Sequence, residues 1–288
     1  MSRSIRGAIT FPRFAAFTTG LTLSLVMLGI YTAATGSGLA CSAQWPLCDN
    51  GLLPQTIPSF IEWFHRLVAM VTGWFILGTA LWSWRRPGRR TRIAATLAVC
   101  LLPLQISIGA VTVTLNGLLP AGYSAPTQGA HLVVALSIFS LLVWTTLSAR
   151  SQCGPTRSRI RQALGVALAA IVVSVFLSRV FTPIPYSPGA QALFYGAALV
   201  GVAALLAATR WLAATTVAHL RFVTGTALAL LFAGMLLGRD LVFYTPTVRV
   251  VNAALFVLSA AVVVVAALLA RRARNDGRTG SVVSPNGD

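Results

Sequence analysis

Three ionisable residues fall within five positions of one apolar stretch: Glu62, His65 and Arg66 in Ser59-Phe-Ile-Glu-Trp-Phe-His-Arg66. Glu62 is the only glutamate in the chain, and His65 is one of three histidines. An ionisable side chain costs roughly 2.5–3.5 kcal/mol at the centre of a membrane helix, so its presence there points to function. Residues three and four apart share a helix face, which makes Glu62 a neighbour of both His65 and Arg66. His131 opens a second apolar segment in the same manner. Neutral imidazole is a frequent axial ligand of haem iron. Two imidazoles at one depth on neighbouring helices can take both faces of a haem standing between them. His65 lies about six residues into its segment and His131 about four, so at about 1.5 Å per residue their depths differ by ~3 Å. Glu62 and Arg66 read as an i,i+4 ion pair, as a carboxylate at a haem edge whose arginine holds a propionate or tunes the carboxylate, or as both.

Cys41 and Cys48 enclose Ser-Ala-Gln-Trp-Pro-Leu. Trp45-Pro46 favours a turn that brings the sulfurs close, but spacing alone does not establish a bond. The pair reads as a structural staple or, since exposed short disulfides are the labile ones, as a redox-active pair. Cys100 and Cys153 are isolated and read as small apolar or loop residues. The pattern of two close ligand pairs expected of zinc is absent from the sequence. His219, between Arg210 and Arg221, reads as a surface residue at the wrong end to join the other histidines. Gln105, Gln128 and Asn116 are candidates for interhelical hydrogen bonds or pocket lining. Arg179 reads as a snorkelling arginine, with pairing to a haem propionate as the alternative.

The segments that carry these residues belong to a membrane protein. Of 288 residues, 56% are hydrophobic and 9% charged, against roughly 25% charged in soluble domains, and the mean hydropathy is +0.79. The net charge of +17 comes from arginine without any lysine. A basic chain suggests nucleic acid, but these arginines sit in short clusters between apolar runs, and that reading is rejected. Eight apolar runs of spanning length are expected near 14–36, 59–82, 93–115, 127–148, 162–181, 190–209, 221–238 and 250–270. The first follows Arg3, Arg6 and Arg13 but is too long, and too closely followed by others, for a signal peptide. Of 22 arginines, 18 fall in the termini and the even-numbered loops and two, Arg239 and Arg249, in the opposite loops. The positive-inside rule therefore places both termini in the cytoplasm of a multi-pass cell-membrane protein. The Cys41/Cys48 loop then lies outside, where disulfides persist.

The spans form a parallel repeat, 1–4 and 5–8. Ala125-Pro-Thr-Gln-Gly-Ala-His131 aligns with Thr245-Pro-Thr-Val-Arg-Val-Val251, and Ile108-Gly-Ala110 with Ala233-Gly-Met235. By these landmarks Val251 stands for His131, and Leu193 or Phe194 for His65. The expected fold is all-α: eight transmembrane helices as two tandem four-helix bundles. Residues 1–149 carry the site, 150–270 form a degenerate half, and 271–288 form a polar cytoplasmic tail without stable structure.

Gly36-Ser-Gly-Leu-Ala-Cys41, Trp45-Pro-Leu-Cys48, Glu62-Trp-Phe-His65-Arg66, Gln105 with Gly109, and Gln128 with His131 resemble the haem A synthase family of cytochrome oxidase assembly proteins. The resemblance is specific through residues 20–148; over 162–270 it rests on span count and repeat. It implies oxidation of the C8 methyl of haem O to the formyl of haem A by successive hydroxylations. It also implies that Glu62, His65 and His131 form the substrate-haem site, and that an outward Cys41–Cys48 pair matters for activity. Many members bind a haem b through a second histidine pair in the second half. Here those positions are apolar, so one haem site per chain is expected. Expected partners are haem O, an electron acceptor, haem O synthase and the bilayer, with self-association left open. A bis-histidine electron-transfer cytochrome b and a non-catalytic haem-binding assembly factor are the competing readings. A transporter is disfavoured, because the polar residues cluster near the outer face and no span is broken at its centre.

Overall fold

Six of the helices begin at a proline, which lacks the N–H that would go unpaired in a first turn, or at a hydroxyl side chain that accepts such an N–H. Thr56, Ser124, Thr156 and Ser187 each accept a hydrogen bond from the backbone N–H three residues on, at 3.2–3.4 Å. Pro12, Pro58, Pro126 and Pro188 occupy the first or second helical position of their helices, where a missing N–H costs nothing. The computed structural model describes residues 9–41, 44, 47–86, 88–114, 124–150, 156–215, 218–239 and 242–279, without the side chains of 114 and 272–279. Its helices are α1 Phe11–Ala34, α2 Ile57–Trp84, α3 Arg89–Thr114, α4 Ala125–Ala149, α5 Arg157–Leu177, α6 Pro188–Leu212, α7 Leu220–Leu237 and α8 Pro246–Thr279, with a short 3-10 turn at Ser37–Leu39. All eight are long and apolar enough to cross a membrane. The protein is an all-helical, multi-pass membrane protein, as composition requires.

Most boundaries shift by a few residues from the sequence reading, and the C-terminal ends of α5 and α8 change the placement of named residues. α5 stops at Leu177, where Ser178 turns extended; Thr182-Pro-Ile-Pro185 follows, which cannot continue a helix. Arg179 therefore lies beyond the helix and not within it. α8 runs on to Thr279, past residue 270, where the polar tail was expected to begin. Residues 280–288 lie outside the described residues, as do Asn116, Cys153 and the Trp45-Pro46 turn.

Within the first half α1 packs on α2, α2 on α3, α3 on α4, and α4 returns to α1; α5 to α8 are connected in the same order, α8 returning to α5. Threonine pairs tie α1 into its neighbours: Thr18 to Thr79 at 3.0 Å and Thr19 to Thr146 at 2.9 Å. Lipid is as apolar as a leucine side chain, so such polar contacts and close packing hold membrane helices together. The halves meet where α6 packs on α1 and α4. A Cβ on Gly196 would stand 2.8 Å from Met27 Sδ, so the absence of a side chain there lets α6 approach α1. Two second-half arginines also grip α4. Arg210 donates to Ser148 Oγ at 2.8 Å near the end of α4, and Arg239 donates to Gln128 Oε1 at 3.2 Å near its start. The main buried cluster draws chiefly on α4 to α8, with α6 at its centre.

Candidate functional site

Gly36, with φ +71°, reverses the chain after α1 in the left-handed conformation that only glycine adopts without strain. The loop that follows is closed on itself. Cys41 and Cys48 are disulfide-bonded, with Cα atoms 4.8 Å apart. Gln44 exchanges two hydrogen bonds with Asn50, at 2.8 and 2.9 Å. Asp49 accepts from Ser59 Oγ at 3.0 Å and from the Gln55 N–H at 2.8 Å. The disulfide sulfurs lie 3.5 and 3.8 Å from the Ser59 carbonyl oxygen, so the staple is seated on the first turn of α2.

This loop caps Glu62, which is only 2% exposed. One carboxylate oxygen accepts the Cys41 N–H, the other pairs with Arg66, and Arg66 also donates to the Gln44 carbonyl. The expected i,i+4 ion pair is present, and a backbone amide from the disulfide loop completes it. A carboxylate offers about four lone-pair positions, so these two contacts leave capacity for a third partner.

The two histidines are seated alike. His65 is eight residues into α2 and His131 six into α4. Each ring lies against a glycine of the adjacent helix: a Cβ on Gly29 of α1 would stand 3.0 Å from His65 Cε1, and one on Gly109 of α3 would stand 3.2 Å from His131 Cε1. His131 Nε2 is 3.0 Å from the Gln105 amide nitrogen, which donates to it. The Nδ1 atoms of both rings and Gln105 Oε1 are buried without a hydrogen-bond partner among the described residues. The rings lie within electrostatic reach of one another. Buried polar atoms are normally satisfied, so the unsatisfied ring nitrogens mark this pair out among the described residues. Among the described residues no group of three or more His, Cys, Asp or Glu side chains could hold a bare metal ion. Two axial imidazoles suit an iron that brings its own equatorial ring.

Sequence reasoning missed Gly29 and Arg239. Gly29 lacks any local signal, because the need for it comes from a ring 36 residues away. Arg239 looked like a loop charge, but it is 7% exposed and reaches Gln128 on α4. Arg179 reaches into the loop after α7. It donates to the carbonyls of Arg239 and Val242 at 2.8 and 2.9 Å and lies 4.2 Å from the Tyr244 ring centroid. His219 is exposed just before α7, apart from the other two histidines.

The second half also corrects the repeat alignment. Val251 is 46% exposed and faces away from the core. The residue that packs on Gly234 is Phe256, with ring atoms 3.2 Å from where a Cβ would stand. Gly109 and His131 are 22 residues apart, and so are Gly234 and Phe256. The connection into α8 is shorter than the one into α4, which shifts the register counted from the proline. Of the two candidates for the His65 position, Leu193 is 55% exposed, whereas Phe194 is fully buried and its ring packs on Gly238 and, at 6.0 Å between centroids, on Phe256.

Residues 54–180 match the family described as "Cytochrome oxidase assembly protein". The chain is 32% identical over 150 residues to the "Heme A synthase" of Bacillus licheniformis, covering 51% of this chain and 46% of that one. It is 35% identical over 136 residues to the "Heme A synthase" of Shouchella clausii, covering 45% and 43%. It is 38% identical over 128 residues to a "Protoheme IX farnesyltransferase" of Halobacterium salinarum, covering 42% of this chain and 27% of that one. In each case the chain spans less than half the length of the relative.

Proposed function

We propose that this chain, whose residues 54–180 match the cytochrome oxidase assembly family and which is similar over part of its length to heme A synthases, oxidises the C8 methyl of haem O to a formyl group by successive hydroxylations, for cytochrome oxidase assembly. The observation that carries the reading is the pair of imidazoles, His65 and His131, each packed against a glycine of the neighbouring helix, beside a buried carboxylate. His65 and His131 hold the iron of haem O from its two faces. Gln105 gives up its bond to His131 Nε2 when iron takes that nitrogen. Oxidising a methyl group next to a conjugated ring removes electrons and a proton from its carbon. Glu62 stabilises the positive charge that develops on the carbon and accepts the proton of the water that adds to it as the new C–O bond forms, while Arg66 keeps it ionised and in place and presents a cation to the haem edge. The Cys41–Cys48 loop fixes Glu62 through the Cys41 amide and screens it from water.

The relative named for farnesylating protohaem supports a farnesylated haem as substrate and haem O synthase as the partner that delivers it. One haem site per chain follows from the phenylalanines in the second half, so electrons leave to an external acceptor. The arginine distribution supports cytoplasmic termini and an outward disulfide loop.

The test is the pigment extracted from membranes that contain this chain beside a haem O synthase. Haem A or a hydroxylated haem O is expected. Haem O alone, from well-expressed protein, sinks the reading, and a haem b retained unchanged through redox cycling points to an electron-transfer cytochrome instead.

A further inference from the structure

One buried cation is left without a task by the reaction above. Arg239 follows α7 in the second half, but its side chain is turned towards the first, where Nη2 donates to Gln128 Oε1 on α4. Gln128 precedes His131 by three residues, so the two share a helix face, and Arg239 lies within electrostatic reach of His131. Arg66 stands in the same relation to His65. Each imidazole thus has one guanidinium beside it, the first from its own helix and the second from the opposite half of the molecule.

The backbone around Arg239 is held by side chains at several points. Tyr195 Oη donates to the Met235 carbonyl at 2.7 Å and Tyr186 Oη to the Gly238 carbonyl at 2.7 Å. Arg179 takes the carbonyls of Arg239 itself and of Val242, and its guanidinium lies on Tyr244, whose hydroxyl accepts from Asn252 Nδ2 at 3.0 Å. Placing a guanidinium in a membrane protein is costly, and a surface loop does not need its carbonyls held at four points. A guanidinium carries five N–H donors in a fixed fork, so Arg239 can serve the Gln128 amide and a carboxylate at once. The carboxylates of a haem are its two propionates, and Arg–carboxylate pairs are among the stronger charge-assisted hydrogen bonds.

We propose that Arg239 binds a propionate of the haem held by His65 and His131, so that the second half completes the first half's site by supplying a cation in place of a second haem. The inference rests on the haem-site reading above. The competing role is a plain clamp between halves, of the kind Arg210 provides at the other end of α4, where it donates to Ser148 and lies 5.3 Å from the Trp144 ring centroid.

The purified full chain in detergent is titrated with protohaem and with protohaem dimethyl ester, which lacks the propionate charges, while the low-spin bis-imidazole spectrum is followed. Arg239→Gln should weaken protohaem binding by about tenfold or more and leave ester binding unchanged. Wild type should itself prefer protohaem to the ester by a similar factor. Arg239→Lys, which keeps the cation but loses the fork, should fall between the two, and it makes the same comparison if the glutamine variant does not fold. Arg210→Gln should leave both affinities unchanged. Equal weakening for both haems makes Arg239 a clamp and overturns the proposal, as does protohaem affinity that is the same in all variants. If wild type gives no bis-imidazole spectrum with either haem, the haem-site reading fails, and the inference fails with it.

Discussion

Gly109 faces an imidazole and Gly234 faces a phenyl ring, at the same spacing of 22 residues and on corresponding helix pairs. Around His131 the packing is polar and incomplete: Gln105 takes one ring nitrogen, and the other is buried without a partner among the described residues. Around Phe256 it is aromatic. Phe194 and Phe256 meet edge to face and each packs on a glycine, while Tyr195 beside them puts its hydroxyl on a carbonyl of α7. Aromatic rings in such contact fill space and leave no polar atom unsatisfied. The comparison teaches that one helical frame can be finished in two ways. On the proposed haem-site reading, the half with imidazoles gives up packing for a ligand, whereas the half with phenylalanines fills the same frame with side chains.

The largest expected effect breaks the comparison from the ligand side. His65→Ala or His131→Ala should each abolish the low-spin haem spectrum and haem A formation entirely, because Phe194 and Phe256 offer no substitute ligand. His219→Ala should change neither. A low-spin haem that survives in both variants would show that the second half binds haem by other residues. Next comes Glu62, which has no counterpart in the second half. Glu62→Gln keeps the size and should keep near-normal haem binding, but haem A yield should fall by about two orders of magnitude. A normal yield from well-expressed variant protein would remove Glu62 from the chemistry. If folding and haem are lost together and Arg66→Gln restores them, the pair is structural only.

A smaller effect tests the other half. Phe256→Ala empties a site that is 1% exposed and should destabilise the protein towards the low end of ~3–5 kcal/mol, since lipid and not water is the competing environment. Thermal unfolding in detergent measures this, and a loss of less than that from His131→Ala would reverse the assignment of core and site. The smallest effect concerns Gln105. Gln105→Leu removes the amide that occupies His131 Nε2, so haem should bind a few-fold more tightly, by roughly the strength of one neutral hydrogen bond. Weaker binding in a spectral titration would mean that Gln105 supports the liganded ring and does not compete with iron.

Much of this was legible along the chain. Spanning length and apolar composition identified all eight helices, because a membrane helix must satisfy its backbone within one continuous apolar run. The Glu62–Arg66 pair and the matched depth of His65 and His131 followed from the helical rise and repeat alone. The boundary of α5 and the reach of α8 did not, since apolar composition marks where a helix can lie and not where its last hydrogen bond forms.

What remained depended on which helix faces meet. Gly29 is required by a ring on another helix, and the Cys41 amide reaches Glu62 only because the disulfide loop folds back over α2. Arg239 reaches α4 through Gln128, 111 residues earlier in the chain. The proline landmark pointed to Val251, and only packing identified Phe256 as the residue opposite the glycine. Periodicity is a local property, carried by each helix separately. Contacts between helices are set by the rotation and depth at which whole helices pack, and no single segment encodes either.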